Sequence, residues 1–192
     1  MALKILLCFL AGSIPFAVLA MLGTGIDIRK VGSGNPGFNN VLRVSKARAV
    51  LTLLGDVGKG YLAVRLALGP GEPVTMGWLY GLAAIVGHCY SPWLRFNGGK
   101  GVATSGGVML VLYPQWAAVG LAFFAVLRLS GSRWKWPEAG MVASLATWVV
   151  FTLLMAAFVG RQDAAIAGLM TLLLAWRHRQ NFRNLHAPGA RG

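Results

Sequence analysis

This chain of 192 residues is poor in acid: five Asp and Glu stand against eighteen Lys and Arg, and charged residues of both signs make up only 12%. It contains no pair of carboxylates, no Cys/His cluster with metal-ligand spacing and no G-x-S-x-G elbow. Hydrolysis by paired acids, metal catalysis and acyl-enzyme chemistry at such an elbow therefore all lack their parts. Neither a metal nor a cofactor is expected. Two cysteines occur, Cys8 and Cys89, each inside an apolar run, where isolated cysteines act as small hydrophobes.

What the sequence has in excess is apolar side chains. A hydrophobic content of 56% and a mean hydropathy of +0.63 take the chain out of the soluble class and make it an integral membrane protein. The formal charge of +13 is compatible with nucleic acid, anionic lipid or an anionic substrate. Position decides among these. Most of the cations fall in one set of alternate loops and in the C-terminal tail, the positive-inside pattern of a multi-pass membrane protein. Membrane lipids are thus a partner, and the charge needs no nucleic acid to explain it.

Lys4 and the apolar run over residues 5–22 have the outline of a signal peptide. Pro15 interrupts the run, no small-residue cleavage pattern closes it and further spans follow, so it reads as a retained first helix. Spans are expected over 49–68 and 76–94, separated by the turn 69–73, which has no cation and belongs outside. The run 102–129 is too long for one crossing of about 20 residues, and Tyr113-Pro114-Gln115-Trp116 divides it into two short helices. A sixth span covers 138–159 and a seventh 164–176; the basic loop 130–137 and the tail 177–192 lie inside. The expected fold is an all-α integral membrane protein, a single domain over 1–192 with about seven transmembrane helices, the N-terminus out, the C-terminus in and a site on the cytoplasmic loops.

The inner segments hold the side chains that can do chemistry. In Phe96-Asn97-Gly98-Gly99-Lys100-Gly101-Val102-Ala103-Thr104, three glycines around a lysine leave backbone N–H groups able to turn toward one concave point. A helix beginning just afterwards aims its positive end at the same place, which makes a phosphate-sized trap. Gly101 stands where a nucleotide P-loop has Ser or Thr, which argues against that motif; a plain glycine-rich turn is the alternative. In Gly32-Ser33-Gly34-Asn35-Pro36-Gly37-Phe38-Asn39-Asn40, small residues permit tight folding, Ser33, Asn35, Asn39 and Asn40 offer neutral donors, and Arg43 adds a planar cation suited to phosphate. Its alternative is a connecting loop of turn residues.

Asp56 and Lys59, three apart, share a helix face and pair, either as a structural salt bridge or as one wall of a cleft. His88 is expected to pack or hydrogen-bond rather than act as a base. His178 and Asn181, also three apart, sit in a tail whose arginines are explained by anchoring at the membrane surface, which gives no reason for these two. Together the segments form a cationic, donor-rich pocket fit to hold phosphorylated substrates and stabilise an oxyanion.

Taken in order, Gly12-Ser13-Ile14-Pro15, the Gly32 to Gly37 motif with Asn40, Val41 and Arg43, Asp56-x-x-Lys59-Gly60, Gly87-His88, the glycine–lysine stretch, and Arg177-His178 with Asn181 resemble the bacterial acyl-phosphate-dependent glycerol-3-phosphate acyltransferases nearly end to end. The resemblance implies an inner-membrane enzyme of phospholipid synthesis that moves a fatty acyl group from acyl phosphate to the 1-hydroxyl of glycerol 3-phosphate, giving lysophosphatidate and phosphate. It implies catalytic roles for Ser33, Arg43, His178 and Asn181. It also implies phosphate binding through Gly32, Gly34, Asn35, Asn39, Asn40, Gly98, Gly99, Lys100, Gly101 and Thr104, with Asp56 and Lys59 in support. The chain departs from the family's usual Ala-Thr-Asn at Phe38-Asn39-Asn40, and from its usual serines at Trp136-Pro137-Glu138-Ala139-Gly140. A small transporter of an anionic solute and an inactive relative of the enzymes are the competing readings.

Overall fold

The computed structural model describes residues 1–186, which form helices and turns in two compact units, Met1–Leu112 and a second that begins at Tyr113. In the first unit, α1 (Ala2–Ser13) stops because Pro15 has no N–H to extend it and pushes Ile14 out of helical backbone, to φ −57° and ψ 121°. Then come α2 (Phe16–Ala20), α3 (Phe38–Leu42), α4 (Lys46–Ala67), α5 (Val74–Cys89), a 3-10 turn (Pro92–Leu94) and α6 (Val102–Leu112). Helix α1 packs on α5 and α4, and α4 packs on α6. The α4–α6 contact is backbone on backbone: a Cβ on Gly60 would lie 2.1 Å from the Thr104 carbonyl oxygen, and one on Gly107 2.0 Å from that of Val57. Contacts of this kind hold helices together in lipid, where apolar side chains gain little by leaving one apolar neighbour for another.

Burial runs inside out on α4. Leu51, Leu54, Leu62 and Leu66 are exposed, while Thr52, Asp56 and Lys59 are buried. That is the distribution of a helix surrounded by hydrocarbon rather than water. Phe38 and Leu42 of α3 pack on an apolar cluster of Ala17, Met21, Ile28, Val41 and Ala49. The large ring at position 38 is thereby absorbed into this cluster.

The second unit contains α7 (Pro114–Arg133), α8 (Ala139–Phe158), α9 (Arg161–Arg177) and α10 (Arg179–His186). Helix α7 opens on its proline, as the sequence predicts, because the missing N–H is harmless in a first turn. It packs on α8, and α8 packs on α9. Thr152 and Thr171 join the latter pair through hydroxyls 3.0 Å apart, and Tyr113 donates to the Asp163 carboxylate.

Some boundaries differ from the sequence reading. The third apolar helix ends at Cys89 instead of 94, since Ser91 before Pro92 takes extended backbone. The polar segment 25–48 contains α3 and the basic tail contains α10; residues 187–192 of that tail lie outside the described residues. Among the described residues, the stretches Ala2–Ala20 and Ala139–Phe158 are long and apolar enough to cross a membrane by length and composition alone. The remaining helices fall short of that standard. Helix α4 carries Lys46, Arg48, Asp56, Lys59 and Arg65, and α5, α6 and α9 have 16, 11 and 17 residues.

Candidate active site

The break after Ser13 releases the Ile14 carbonyl from the helical ladder and turns it toward α4. Lys59 Nζ donates to Ile14 O at 2.7 Å and lies 2.8 Å from Asp56 Oδ1. The pair is buried, with Asp56 2% and Lys59 6% exposed, so its cost of desolvation must be met by nearly complete hydrogen bonding. His88, at the end of α5, contributes to that: its Nδ1 is 3.5 Å from Asp56 Oδ1 and 3.1 Å from Thr104 Oγ1 of α6. A carboxylate facing Nδ1 favours a proton there and turns Nε2 toward Gly99. Ser13 joins the group, accepting from Trp93 Nε1 on Oγ at 2.9 Å and from Ser91 Oγ on its carbonyl at 2.6 Å. Among the described residues, every buried side-chain nitrogen or oxygen has a hydrogen-bond partner. The groups surround a cavity of about 10 Å³, room for about one water, lined by Asp56, Lys59, His88, Ser91, Pro36 and Gly99 among others.

The glycine–lysine stretch does something other than the sequence suggests. The N–H groups of Gly98 and Gly99 donate to the carbonyls of Cys89 and His88, at 3.1 and 3.2 Å, so they close the end of α5 rather than point at a ligand. The lack of a side chain is nonetheless essential. A Cβ on Gly98 would lie 2.0 Å from His88 O, and one on Gly99 2.2 Å from His88 Nε2. Left-handed backbone is confined to Gly101 (φ 87°) and, before the glycines, to Arg95 and Phe96. Lys100, half-buried, and Gly101 lead directly into α6, whose first-turn N–H groups have no carbonyl within the helix to bond.

The serine–asparagine loop is held from within by Asn40, 1% exposed. Its Oδ1 accepts from the Ser33 N–H at 3.0 Å, and its Nδ2 donates to Ile28 O at 2.9 Å and Val31 O at 3.0 Å. Asn40 is therefore occupied in shaping the loop. Gly32 (φ 58°) takes left-handed backbone beside it, and a Cβ there would stand 2.4 Å from Asn40 Oδ1 and 3.6 Å from Arg43 Nη1. This puts the Arg43 guanidinium next to Gly32-Ser33. Ser33, Asn39 and Arg43 are exposed, while Gly34 and Asn35 are half-buried. At the start of the segment, Arg29 hydrogen-bonds Asp27 at 2.8 and 2.9 Å and holds its carboxyl down to about 2.

His178 and Asn181 belong to the second unit, at the junction of α9 and α10. The His178 ring is buried with Nδ1 2.8 Å from Leu174 O, and its carbonyl accepts the Asn181 N–H at 2.8 Å. Asn181 Nδ2 donates to Glu138 Oε2 at 2.6 Å. Sequence reasoning missed the central place of His88 and overlooked Ile14, Ser91 and Glu138. The Pro15 break and the Gly87-His88 pair were the available signals. Among the described residues, no group of three or more His, Cys, Asp or Glu is placed to hold a metal ion.

Helix α4, apolar outward with a buried ion pair inward, is the helix of a membrane protein, and the serine–asparagine and glycine–lysine loops reach the cavity at that pair through Pro36 and Gly99. The chain belongs to the glycerol-3-phosphate acyltransferase family, whose family model matches residues 2–188. Proteins named glycerol-3-phosphate acyltransferase are 42% identical over 187 residues in Pseudomonas paraeruginosa (95% of this chain, 94% of the relative) and 44% identical over 191 residues in Laribacter hongkongensis (95% and 90%). The fold is similar to the crystal structure of PlsY (YgiH), an integral membrane glycerol 3-phosphate acyltransferase, in its glycerol 3-phosphate form. The TM-score is 0.84 at 30% identity, covering 96% of this chain and 91% of that one. The lysophosphatidic acid form of the same protein gives 0.81 at 28% identity, with the same coverage.

Proposed function

We propose that this family member transfers a fatty acyl group from acyl phosphate to the 1-hydroxyl of glycerol 3-phosphate, releasing lysophosphatidate and phosphate. In this reading it is a multi-pass protein of the bacterial inner membrane, with about seven crossings, the N-terminus out, the C-terminus in and the site open to the cytoplasm. The observation that carries it is that Pro36 of the serine–asparagine loop and Gly99 of the glycine–lysine loop line one cavity beside Asp56, Lys59 and His88.

The hydroxyl oxygen attacks the acyl carbonyl carbon, the bond from that carbon to the phosphate oxygen breaks, and phosphate leaves with the electron pair. The hydroxyl proton passes to a phosphate oxygen, so no protein base is required. Arg43, with Ser33, stabilises the negative charge that builds on the carbonyl oxygen and the leaving phosphate. Lys100 and the first turn of α6, with the backbone at Gly101, hold a phosphate. Gly32, Gly34, Asn35 and Asn39 shape and furnish the opposite loop, which Asn40 keeps in form. Gly98, Gly99, Thr104, Asp56 and Lys59 act through His88, fixing the floor of the cavity. His178 and Asn181, in the second unit, serve the reaction as donors. The test is purified protein in detergent given both substrates, with phosphate release and lipid product followed together. One phosphate per lysophosphatidate is expected, and no product from acyl coenzyme A. Activity with the thioester alone would overturn the donor assignment.

A further inference from the structure

Glu138 stands at the start of α8 in left-handed backbone, φ 52° and ψ 34°, a conformation that costs stability for a residue with a long side chain. From there its carboxylate reaches α10. Oε2 accepts from Asn181 Nδ2 at 2.6 Å and Oε1 accepts from Asn184 Nδ2 at 3.0 Å, so both oxygens engage amides one helical turn apart. The Asn181 N–H is held at the same time by the carbonyl of His178. A carboxylate only accepts, so Asn181 must present its nitrogen to Glu138, and the rotation of its carboxamide is thereby set. The bonds are charge-assisted and outlast those a neutral acceptor would make.

We propose that Glu138 is a positioning residue for the acyl-transfer reaction, acting through Asn181. Its charge has the wrong sign to hold a phosphorylated substrate itself; its effect is to fix which end of the Asn181 amide faces any bound group. The inference rests on the role given to Asn181 in the proposed function.

The experiment measures kcat, KM for glycerol 3-phosphate and thermal unfolding for wild type, Asn181→Ala, Glu138→Ala, Glu138→Gly, Glu138→Gln and the double variant Glu138→Ala/Asn181→Ala. Glu138→Ala should lose roughly ten- to hundredfold in kcat/KM, the scale of a misplaced contact group. The double variant should be no slower than Asn181→Ala alone, because the two act as one unit. Glu138→Gly separates positioning from folding. Glycine adopts the left-handed backbone freely, so this variant should melt at or above wild type and still lose activity as Glu138→Ala does. Glu138→Gln, which keeps one acceptor oxygen, should recover part. If Asn181→Ala is impaired but Glu138→Gly turns over like wild type, or if the single losses multiply in the double variant, the positioning role is overturned and the proposed function stands. If Asn181→Ala itself keeps wild-type kinetics, the role of Asn181 fails, and this inference with it.

Discussion

Gly99→Ala tests the arrangement around His88 most directly. The added Cβ would sit 2.2 Å from His88 Nε2, 3.0 Å from Cε1 and 3.2 Å from Cδ2. A methyl carbon needs roughly 3.5 Å from a ring atom, so the imidazole must retreat by about 1 Å. Retreat drives the opposite edge of the ring into Thr104 Oγ1 and Asp56 Oδ1, already in contact at 3.1 and 3.5 Å. Overpacking costs about 1–3 kcal/mol and the loss of a buried polar contact about 1–3 more, so we expect a destabilisation of about 2–6 kcal/mol. Backbone strain contributes nothing here, since Gly99 is not among the positive-φ glycines. The assay is thermal unfolding in detergent, followed with a thiol-reactive dye on Cys8 and Cys89, two buried thiols. Turnover measured in parallel should show a raised KM for glycerol 3-phosphate. In a His88→Ala background the clash is gone, so Gly99→Ala should add almost no further loss of stability. A Gly99→Ala protein that melts with wild type, or losses that simply add, would refute the reasoning.

Arg43→Ala, at an exposed position, should melt like wild type yet lose roughly a hundredfold in turnover, with Arg43→Lys recovering only part because an ammonium lacks the planar fork. Asp56→Ala leaves Lys59 buried without its carboxylate and should cost about 3–5 kcal/mol in thermal unfolding, with a smaller loss in Asp56→Ala/Lys59→Met. A cysteine at Gly71 should react with an impermeant reagent added to intact cells and one at Lys135 should not; the reverse pattern would put the loops bearing the site outside. The Asp27 carboxyl, held down to about 2 by the Arg29 side chain from its usual 3.8, adds stability that is full above pH 3.8 and lost as the pH falls through about 2. Melting curves across that window should therefore show wild type losing its advantage over Asp27→Asn.

The order of the helices was legible because prolines and hydropathy announce it: Pro15 breaks the first apolar run and Pro114 divides the long one. Helices α3 and α10 were not legible, since five and eight residues in polar segments give too little periodicity to detect. The candidate site was half legible. Sequence located the loops, but a glycine N–H can face a ligand or its own chain, and only the fold shows that Gly98 and Gly99 bond to α5. The sequence marks His88 as a residue that packs or hydrogen-bonds, and it does hydrogen-bond, but nothing local indicates that Asp56 and Thr104, from two other helices, meet at its Nδ1.

The release of the Ile14 carbonyl by Pro15 also bears on how the chain enters its membrane. Under the proposed topology, α4 crosses with Asp56 and Lys59 near its middle, where each charged side chain opposes insertion by about 2.5–3.5 kcal/mol. Helix α4 thus partitions poorly alone. Ile14 is synthesised before it, whereas His88 and Thr104 come after. The first helix must then remain beside the insertion machinery, its Ile14 carbonyl bonded only by the Phe16 N–H, until α4 arrives, and α4 becomes fully at home in lipid only when α5 and α6 have joined them. Biogenesis of this unit is accordingly a group event, and a chain truncated after Ala67 should slip out of the bilayer at α4.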